Sequence, residues 1–510
     1  MHDIAGIIRA QRIERPDDIA LVVDDEAITF AQLDERSSRA AQAFRAAGVG
    51  MGDRVAFLER NGAEFFDVIF GLAKIGAVAV AVNWRLAAPE VRQILDDARA
   101  AVVVVGAEFF DHLQSVEAEL PHVRTVVAIG EHDRWPKFSS WLAAHPATDP
   151  MITTQPEDVA LQLYTSGTTG LPKGVMLTNA NLFSKLEGVT EPWRFSSDST
   201  SLAMMPFFHI AGSSWALLGL FNGCTTVVLR DVDHGAIVAA ITAHRVTNVF
   251  MVPAVIRSLL ETDADADFSS LRALVYGASP ITDDILAKSR QTFDCELIQV
   301  YGMTETTGSI TQLDAVDHQR PELLRSCGRP FPWVQIRIVD HTGRDVAPGT
   351  VGELWVRAEV NMAGYWNNHA ATDATVTADG WLKTGDAGYV DAQGYLFLHD
   401  RIKDMIVSGG ENVYPAEVEN VLAAHPRVGD VAVIGVPDEK WGEAVKAVVV
   451  ATGDTLTEHE LIAFARGKLA GFKLPKSVDF VDVLPRNPSG KLLKRELREP
   501  YWSDSHRRIH

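Results

Sequence analysis

Short runs of β-branched and apolar residues, unbroken by polar alternation, recur through the first three hundred residues with amphipathic stretches between them. Residues 54–58, 77–82 and 101–105 open the series; 159–164, 225–229, 248–252, 273–276 and 297–301 continue it. A strand that is apolar on both faces must be covered on both, and intervening helices do this. The pattern therefore predicts an α/β body of parallel sheets. Over 334–399 the rhythm changes to strands and turns without long helices, which predicts a small β-barrel or antiparallel subdomain within about 320–400. A boundary is expected at 401–403. Beyond it, helical patterns (416–424, 458–469) mix with strands (431–434, 447–450) in a small α+β unit. The expected organisation is an N-terminal domain over 1–400, a hinge at 401–403 and a C-terminal lid domain over 404–510.

Bulk properties narrow the class. A chain of 510 residues exceeds what one core supports. A net charge of −20 argues against a nucleic-acid or anionic-membrane partner. The longest apolar runs are too short to span a bilayer, so no integral membrane segment is expected, and residues 1–4 lack a secretion signal. Cys224, Cys295 and Cys327 lie far apart, without metal-binding spacing, as in a reduced cytoplasmic protein.

Five strings carry chemistry. The densest is Tyr164-Thr165-Ser166-Gly167-Thr168-Thr169-Gly170-Leu171-Pro172-Lys173-Gly174, following a predicted strand. Its glycines let backbone N–H groups turn toward an anion, its hydroxyls donate, and Lys173 supplies charge. It lacks the Gly-Lys-Ser/Thr ending of a Walker loop. Tyr301-Gly302-Met303-Thr304-Glu305 follows another strand, where open α/β sheets bind ligands. A hydroxyl beside a carboxylate suits a phosphate held with Mg²⁺, and Tyr301 offers a flat face to a purine. Gly277-Ala278-Ser279-Pro280 would let a flat ring approach the backbone. Lys383-Thr384-Gly385-Asp386 presents a carboxylate suited to two ribose hydroxyls. Asn487-Pro488-Ser489-Gly490-Lys491 sets a lysine past a tight turn.

Taken together and in this order, the strings closely resemble the adenylate-forming superfamily: acyl-CoA synthetases, luciferases and peptide-synthetase adenylation domains. The resemblance runs through nearly the whole chain and is strongest to the bacterial acyl- and aryl-CoA ligases. It implies that residues 165–173 grip the β- and γ-phosphates of ATP, that Thr304 holds the α-phosphate and that Glu305 ligates Mg²⁺. It further implies that adenine lies between Gly277–Ser279 and Tyr301, with Gln299 reaching its amino group. Many relatives carry Asn at that position, so Gln299 departs from the pattern. Asp386 and Arg401 would bind ribose, Lys491 would bridge the substrate carboxylate and the α-phosphate, and Lys403 matches the hinge. His209 would gate the reacting carboxylate. Phe208, Ile210, Ser213, Val255, Tyr276 and Met303 would line an apolar acyl pocket, with Gly212, Ser213 and Ser214 leaving room for a chain or ring.

The activity implied is ATP-dependent acid–CoA ligation: an acid and ATP give acyl-AMP and pyrophosphate, and CoA then takes the acyl group. Trp441, Phe472, Lys473 and Lys476 are placed like the CoA-contacting residues of similar ligases, and Gly409 and Gly410 would let the pantetheine arm pass. A medium- or long-chain fatty acid is the first expectation for the acid; an aryl or alicyclic acid is the alternative. An enzyme loading a carrier protein is a further alternative. The stretch after His209 lacks the aspartate that amino-acid-activating relatives place there, and no carrier-domain sequence follows Lys491. A non-catalytic relative is disfavoured by the intact Lys173, Glu305, Asp386, Arg401 and Lys491. The partners expected are the acid, ATP and CoA, and a homo-oligomer is compatible with the sequence.

Overall fold

The computed structural model describes residues 3–24, 26–166, 172–262, 266–279, 281–401, 404–408, 411–438, 440–453, 456–466, 468–486 and 492–502; for residues 166, 262, 400, 401 and 412 it describes the backbone alone. The chain divides into two compact units. One comprises Met1–Gln335 and Val356–Leu382, the other Ile336–Trp355 and Lys383–His510.

Among the described residues of the first unit, two sheets form the body. A seven-stranded sheet has the order Gly364–Tyr365, Pro172–Thr178, Val159–Ser166, Val78–Ala81, Arg54–Leu58, Val102–Gly106, Thr125–Ile129. Its last five strands are parallel. Val102–Gly106 is buried at every position, and its Val103 and Val105 join Leu58, Val80, Ile94, Leu95 and Leu113 in one core cluster. Burying each such side chain contributes about 1.5–3 kcal/mol, which is why unalternating apolar runs settle in the middle of the sheet.

The second sheet has nine strands, in the order Arg329–Pro330, Gly308–Leu313, Glu296–Met303, Ala273–Gly277, Asn248–Met251, Thr200–Ala203, Thr225–Val228, Ile19–Val23, Glu26–Thr29. Its central strands are parallel, with helices such as Ile210–Phe221 and Asp283–Phe293 between them in sequence. Both sheets end in antiparallel strands. The α/β architecture is the one expected; the antiparallel edges are not visible in periodicity.

The second unit holds a four-stranded sheet, ordered Gln335–Val339, Gly352–Arg357, Leu382–Val390, Leu396–Arg401. It also holds a sheet ordered Glu411–Val413, Ile406–Ser408, Gly442–Ala451, Val428–Asp438, with Ser477–Phe480 parallel to Gly442–Ala451. Helices Pro415–Ala423 and Glu458–Ala465 pack on it through Val418, Leu422, Leu461 and Ala465. The second helix ends four residues before the periodicity predicts. Arg466 turns to extended backbone (ψ 139°) and forms a bridge with Leu469. Among the described residues, no helix is long and apolar enough to cross a membrane.

Candidate active site

The two ends of the Ser/Thr/Gly-rich string lie on paired strands. Val159–Ser166 and Pro172–Thr178 are antiparallel, with Thr165 opposite Lys173 and Ser166 opposite Pro172. Gly167, Thr168, Thr169 and Gly170 lie outside the described residues. The stem is tightly fixed. A Cβ on Gly174 would stand 2.6 Å from Gln162 Nε2 and 3.1 Å from Tyr164 Cζ, so a side chain there would displace the Gln162 amide. The Tyr164 hydroxyl donates to Asp97 Oδ2 at 2.6 Å, and Gln162 Nε2 donates to that hydroxyl at 3.0 Å. The Trp366 amide donates to the Gly174 carbonyl at 2.7 Å, and its indole N–H to the Asp97 carbonyl at 2.9 Å.

Thr304 and Glu305 sit in a 3₁₀ turn, Thr304–Thr306, directly after the strand Glu296–Met303. The sequence places Tyr301 and Gly302 in a loop. Here the strand continues through them, because Gly308–Leu313 pairs back along it with a bulge between Tyr301 and Gly302. Gly302 permits this crossing: a Cβ would lie 1.9 Å from the Gly308 carbonyl. Thr306 Oγ1 accepts from the Met303 amide at 3.1 Å, and Thr307 takes up left-handed backbone (φ 50°) while its hydroxyl donates to the Val360 carbonyl. Glu305 is buried, and its Oε1 accepts a 2.9 Å hydrogen bond from the hydroxyl of Tyr365. The same Tyr365 ring lies beneath Lys173 Nζ, 4.9 Å from its centroid. Tyr365 thus links the hairpin lysine to the turn carboxylate, and sequence reasoning missed it. The other Glu305 oxygen has no hydrogen-bond partner among the described residues, and a free carboxylate oxygen suits Mg²⁺. Such an ion commonly takes one or two carboxylates and completes its shell with substrate phosphates and water.

The two expected adenine segments lie side by side. Ala273–Gly277 is parallel to Glu296–Met303, with Gly277 opposite Val300 and Tyr276 opposite Gln299. A Cβ at Gly277 would meet the Val300 carbonyl at 2.3 Å. Ala278 takes left-handed backbone (φ 69°), and both it and Ser279 are exposed. Gln299 Oε1 is buried without a hydrogen-bond partner among the described residues. A lone acceptor at this point matches an amino donor such as that of adenine.

His209 is the N-cap of helix Ile210–Phe221, and its buried Nε2 has no hydrogen-bond partner among the described residues. Burial, with the positive charge of Arg85 adding to it, pushes the imidazole pKa down to about 4, so the ring is neutral at pH 7. The preceding loop hangs on Asn61, which the sequence did not single out. Asn61 Nδ2 donates to the carbonyls of Met204, Met205 and Leu229 at 3.1–3.3 Å, and Oδ1 accepts from the Phe207 amide at 3.0 Å. Of the expected acyl-pocket residues, Phe208, Ile210, Ser213, Val255 and Tyr276 are buried and Met303 is partly so. The Tyr276 hydroxyl hydrogen-bonds with His318 Nε2 at 2.8 Å. The room expected at Gly212 does not exist. A Cβ there would lie 2.2 Å from the Pro206 carbonyl, so this glycine brings the helix against the loop. The hydroxyls of Ser213 and Ser214 bond back to the His209 and Ile210 carbonyls.

In the second unit, Asp386 and Arg401 are direct cross-strand partners. Asp386 is buried, and its amide donates to Thr384 Oγ1 at 3.0 Å. Trp441 and Phe472 are exposed, and Lys440 and Lys476 lie 4.6 and 5.9 Å from the Trp441 ring. Lys473 is held by both carboxylate oxygens of Glu417 at 2.6 Å. Lys403, Gly409, Gly410 and Lys491 lie outside the described residues.

Within the first unit, Tyr365 thus brings the hairpin lysine and the buried Glu305 carboxylate together. The family model for AMP-binding enzymes matches residues 8–366, and that for the AMP-binding enzyme C-terminal domain matches 417–491. The chain is 42% identical over 501 residues to a fatty acid–[acyl-carrier-protein] ligase, ScoC, of Streptomyces coeruleorubidus, covering 96% of this chain and 95% of that one. It is 40% identical over 479 residues to a feruloyl-CoA synthase of Amycolatopsis sp, covering 93% and 94%. The solved structure of a Mycobacterium tuberculosis fatty acyl CoA synthetase superposes with a TM-score of 0.80 at 33% identity, over 99% of both chains. This chain belongs to the AMP-binding enzymes, within the adenylate-forming superfamily.

Proposed function

We propose that the protein is an ATP-dependent acid–CoA ligase. The observation that carries this reading is the Lys173–Tyr365–Glu305 linkage, which fixes a cation and a carboxylate side by side in an AMP-binding enzyme. In the first half-reaction a carboxylate oxygen of the acid attacks the α-phosphorus of ATP, and the bond to pyrophosphate breaks. In the second, the CoA thiol gives up its proton and attacks the acyl carbonyl, and AMP leaves. The first step brings anions together, so fixed positive charge is needed where charge develops.

Lys173 and the hairpin 165–170 hold the β- and γ-phosphates, and Thr304 holds the α-phosphate. Mg²⁺, when bound, offsets phosphate charge, with Glu305 as its protein ligand. Gly277, Ala278, Ser279, Gln299, Tyr301 and Gly302 receive adenine, Asp386 and Arg401 the ribose, and Lys491 the substrate carboxylate. His209, neutral at pH 7, closes the acid site without adding charge. The exposed Trp441, with Lys440 and Lys476 beside it, supports a stacked, phosphorylated nucleotide such as CoA.

A medium- or long-chain fatty acid is the first reading for the acid, supported by the apolar character of Phe208, Ile210, Val255 and Met303. The feruloyl-CoA synthase relative supports an aryl acid as the second. The carrier-protein ligase at 42% identity supports a protein-borne thiol as an alternative acceptor. Acid-dependent pyrophosphate release across a panel of fatty and aryl acids tests the first half-reaction. Mass spectrometry of thioesters formed with CoA or with a phosphopantetheinylated carrier protein tests the second. Absence of acid-dependent release with every acid overturns the proposal, and thioester formed only on the carrier protein replaces CoA as the acceptor.

A further inference from the structure

A lysine that no phosphate role requires lies inside the first unit. Lys185, on helix Asn179–Thr190, is 2% exposed. Its Nζ donates to the Ser309 carbonyl at 2.5 Å and is bonded to Ser309 Oγ. The rings of Trp193 and Phe331 stand 5.1 Å away and that of Trp333 5.7 Å. Among the described residues no carboxylate pairs with it, and burial alone drives its pKa well below the ordinary lysine value. An amine in this position retains N–H capacity that Ser309 does not use up.

Its place in the fold gives it a use. Ser309 follows Gly308, and Gly308 is the ladder partner of Met303. A Cβ on Gly308 would have as its nearest neighbours Ile210 Cγ1 at 3.8 Å and Lys185 Cε at 3.9 Å. The bare face of Gly308 therefore stands between the buried amine and Ile210, and Ile210 and Met303 are both expected acyl-pocket residues. A second donor lies nearby. Trp215, on the same helix as Ile210, is 3% exposed, and its indole N–H has no acceptor among the described residues. Its ring stacks on Trp193 at 5.7 Å and 27°, and Trp193 also faces Lys185. A buried donor without an acceptor costs free energy. Such a donor, with the Lys185 amine across the same aromatic wall, calls for a ligand that brings an acceptor.

We propose that the acid this enzyme activates, whether chain or ring, carries a second oxygen far from the reacting carboxylate, and that Lys185 reads it. This rests on the acid–CoA ligase reading. It adds that an apolar body alone does not define the substrate: a hydroxyl, carbonyl or second carboxylate at the distal end does.

Matched acids test it: a straight-chain acid against its ω-hydroxy and ω-carboxy counterparts, and cinnamate against 4-hydroxycinnamate. The wild type is expected to favour an oxygenated member of a pair by on the order of tenfold or more in kcat/KM for pyrophosphate release. In Lys185→Met the ratio falls to about one. A preference for the hydroxy acid identifies a neutral acceptor, and one for the dicarboxylic acid an anionic acceptor; either supports the proposal. Equal use of both members by the wild type, or a preference that survives Lys185→Met, overturns it. Should Lys185→Met fail to fold, Trp215→Phe takes its place and must narrow the ratio; an unchanged ratio overturns the proposal. Should no acid be turned over, the ligase reading fails, and calorimetry of acid binding decides instead. Oxygenated acids that bind no tighter than plain ones then overturn the role of Lys185.

Discussion

The Tyr365 hydroxyl donates a 2.9 Å hydrogen bond to Glu305 Oε1, while the same ring lies 4.9 Å below Lys173 Nζ. One side chain therefore contacts both the carboxylate and the cation of the proposed phosphate site. Tyr365 is itself held by the ladder that places it opposite Val175 and by the Thr372 hydroxyl, which accepts from its amide at 2.9 Å. Tyr365→Phe keeps the ring under Lys173 and removes only the bond to Glu305. The Mg²⁺ concentration for half-maximal pyrophosphate release is expected to rise by on the order of tenfold or more, since one charge-assisted hydrogen bond is worth about 1.5–3 kcal/mol. The melting temperature should change little. An unchanged Mg²⁺ requirement would separate Tyr365 from the site.

Direct removal of the charged groups has a larger effect. Lys173→Ala and Glu305→Gln should each slow acid-dependent pyrophosphate release by on the order of a hundredfold, as losing one preorganised charge-stabilising group costs about 3–4 kcal/mol of barrier. Near-wild-type rates in Glu305→Gln at limiting Mg²⁺ would take that residue out of the phosphate site.

Lys491 is expected to serve only one half-reaction. Lys491→Ala should nearly abolish acyl-adenylate formation yet convert supplied acyl-AMP and CoA to acyl-CoA. Parallel loss of both steps, followed separately by pyrophosphate release and thioester formation, would count against that role.

How much of this was legible depended on whether a residue acts within its own string. The strands 78–81 and 102–105 declare themselves because full burial demands unbroken apolar runs. The hairpin lysine and Thr304-Glu305 declare themselves through local chemistry. Tyr365, Asn61 and Lys185 act across long sequence separations, and nothing beside them marks the partner. A tyrosine before a tryptophan, or a lysine within a helix, reads locally as ordinary packing or a solvated face. Glycines mislead in the opposite direction. Gly212 reads as free space, whereas its missing side chain is filled by the carbonyls of Met205 and Pro206.

His209 gives a pH-dependent test. Its folded pKa is pushed down to about 4 by burial and the charge of Arg85, whereas an unfolded histidine titrates near ~6.5. Between these values the unfolded chain binds a proton that the folded chain refuses. The contribution to stability is complete above about 6.5 and drains away as pH falls toward 4. The wild type should therefore lose melting temperature more steeply over that window than His209→Gln does. Parallel slopes would mean that His209 is not held neutral by its surroundings.

The loop that carries Phe208 and His209 depends on one amide. Asn61 is 3% exposed and satisfies four backbone groups at once: three carbonyls, of Met204, Met205 and Leu229, and the amide of Phe207. Asn61→Ala leaves those groups buried and unpaired, at about 1–3 kcal/mol for each that water cannot reach, so a clear fall in melting temperature is expected. Asn61→Asp keeps the shape but faces the three carbonyls with a carboxylate instead of a donor, and should be at least as damaging. The effect on activity should be selective. The loop leads into the proposed acid site, while the hairpin and the Thr304–Glu305 turn are held by Gln162, Tyr164, Thr306 and Tyr365. Under conditions where the variant remains folded, the KM for the acid should therefore rise by tenfold or so, and that for ATP should stay within about twofold. The opposite split would show that Asn61 supports the nucleotide site and that the 204–209 loop does not shape acid binding.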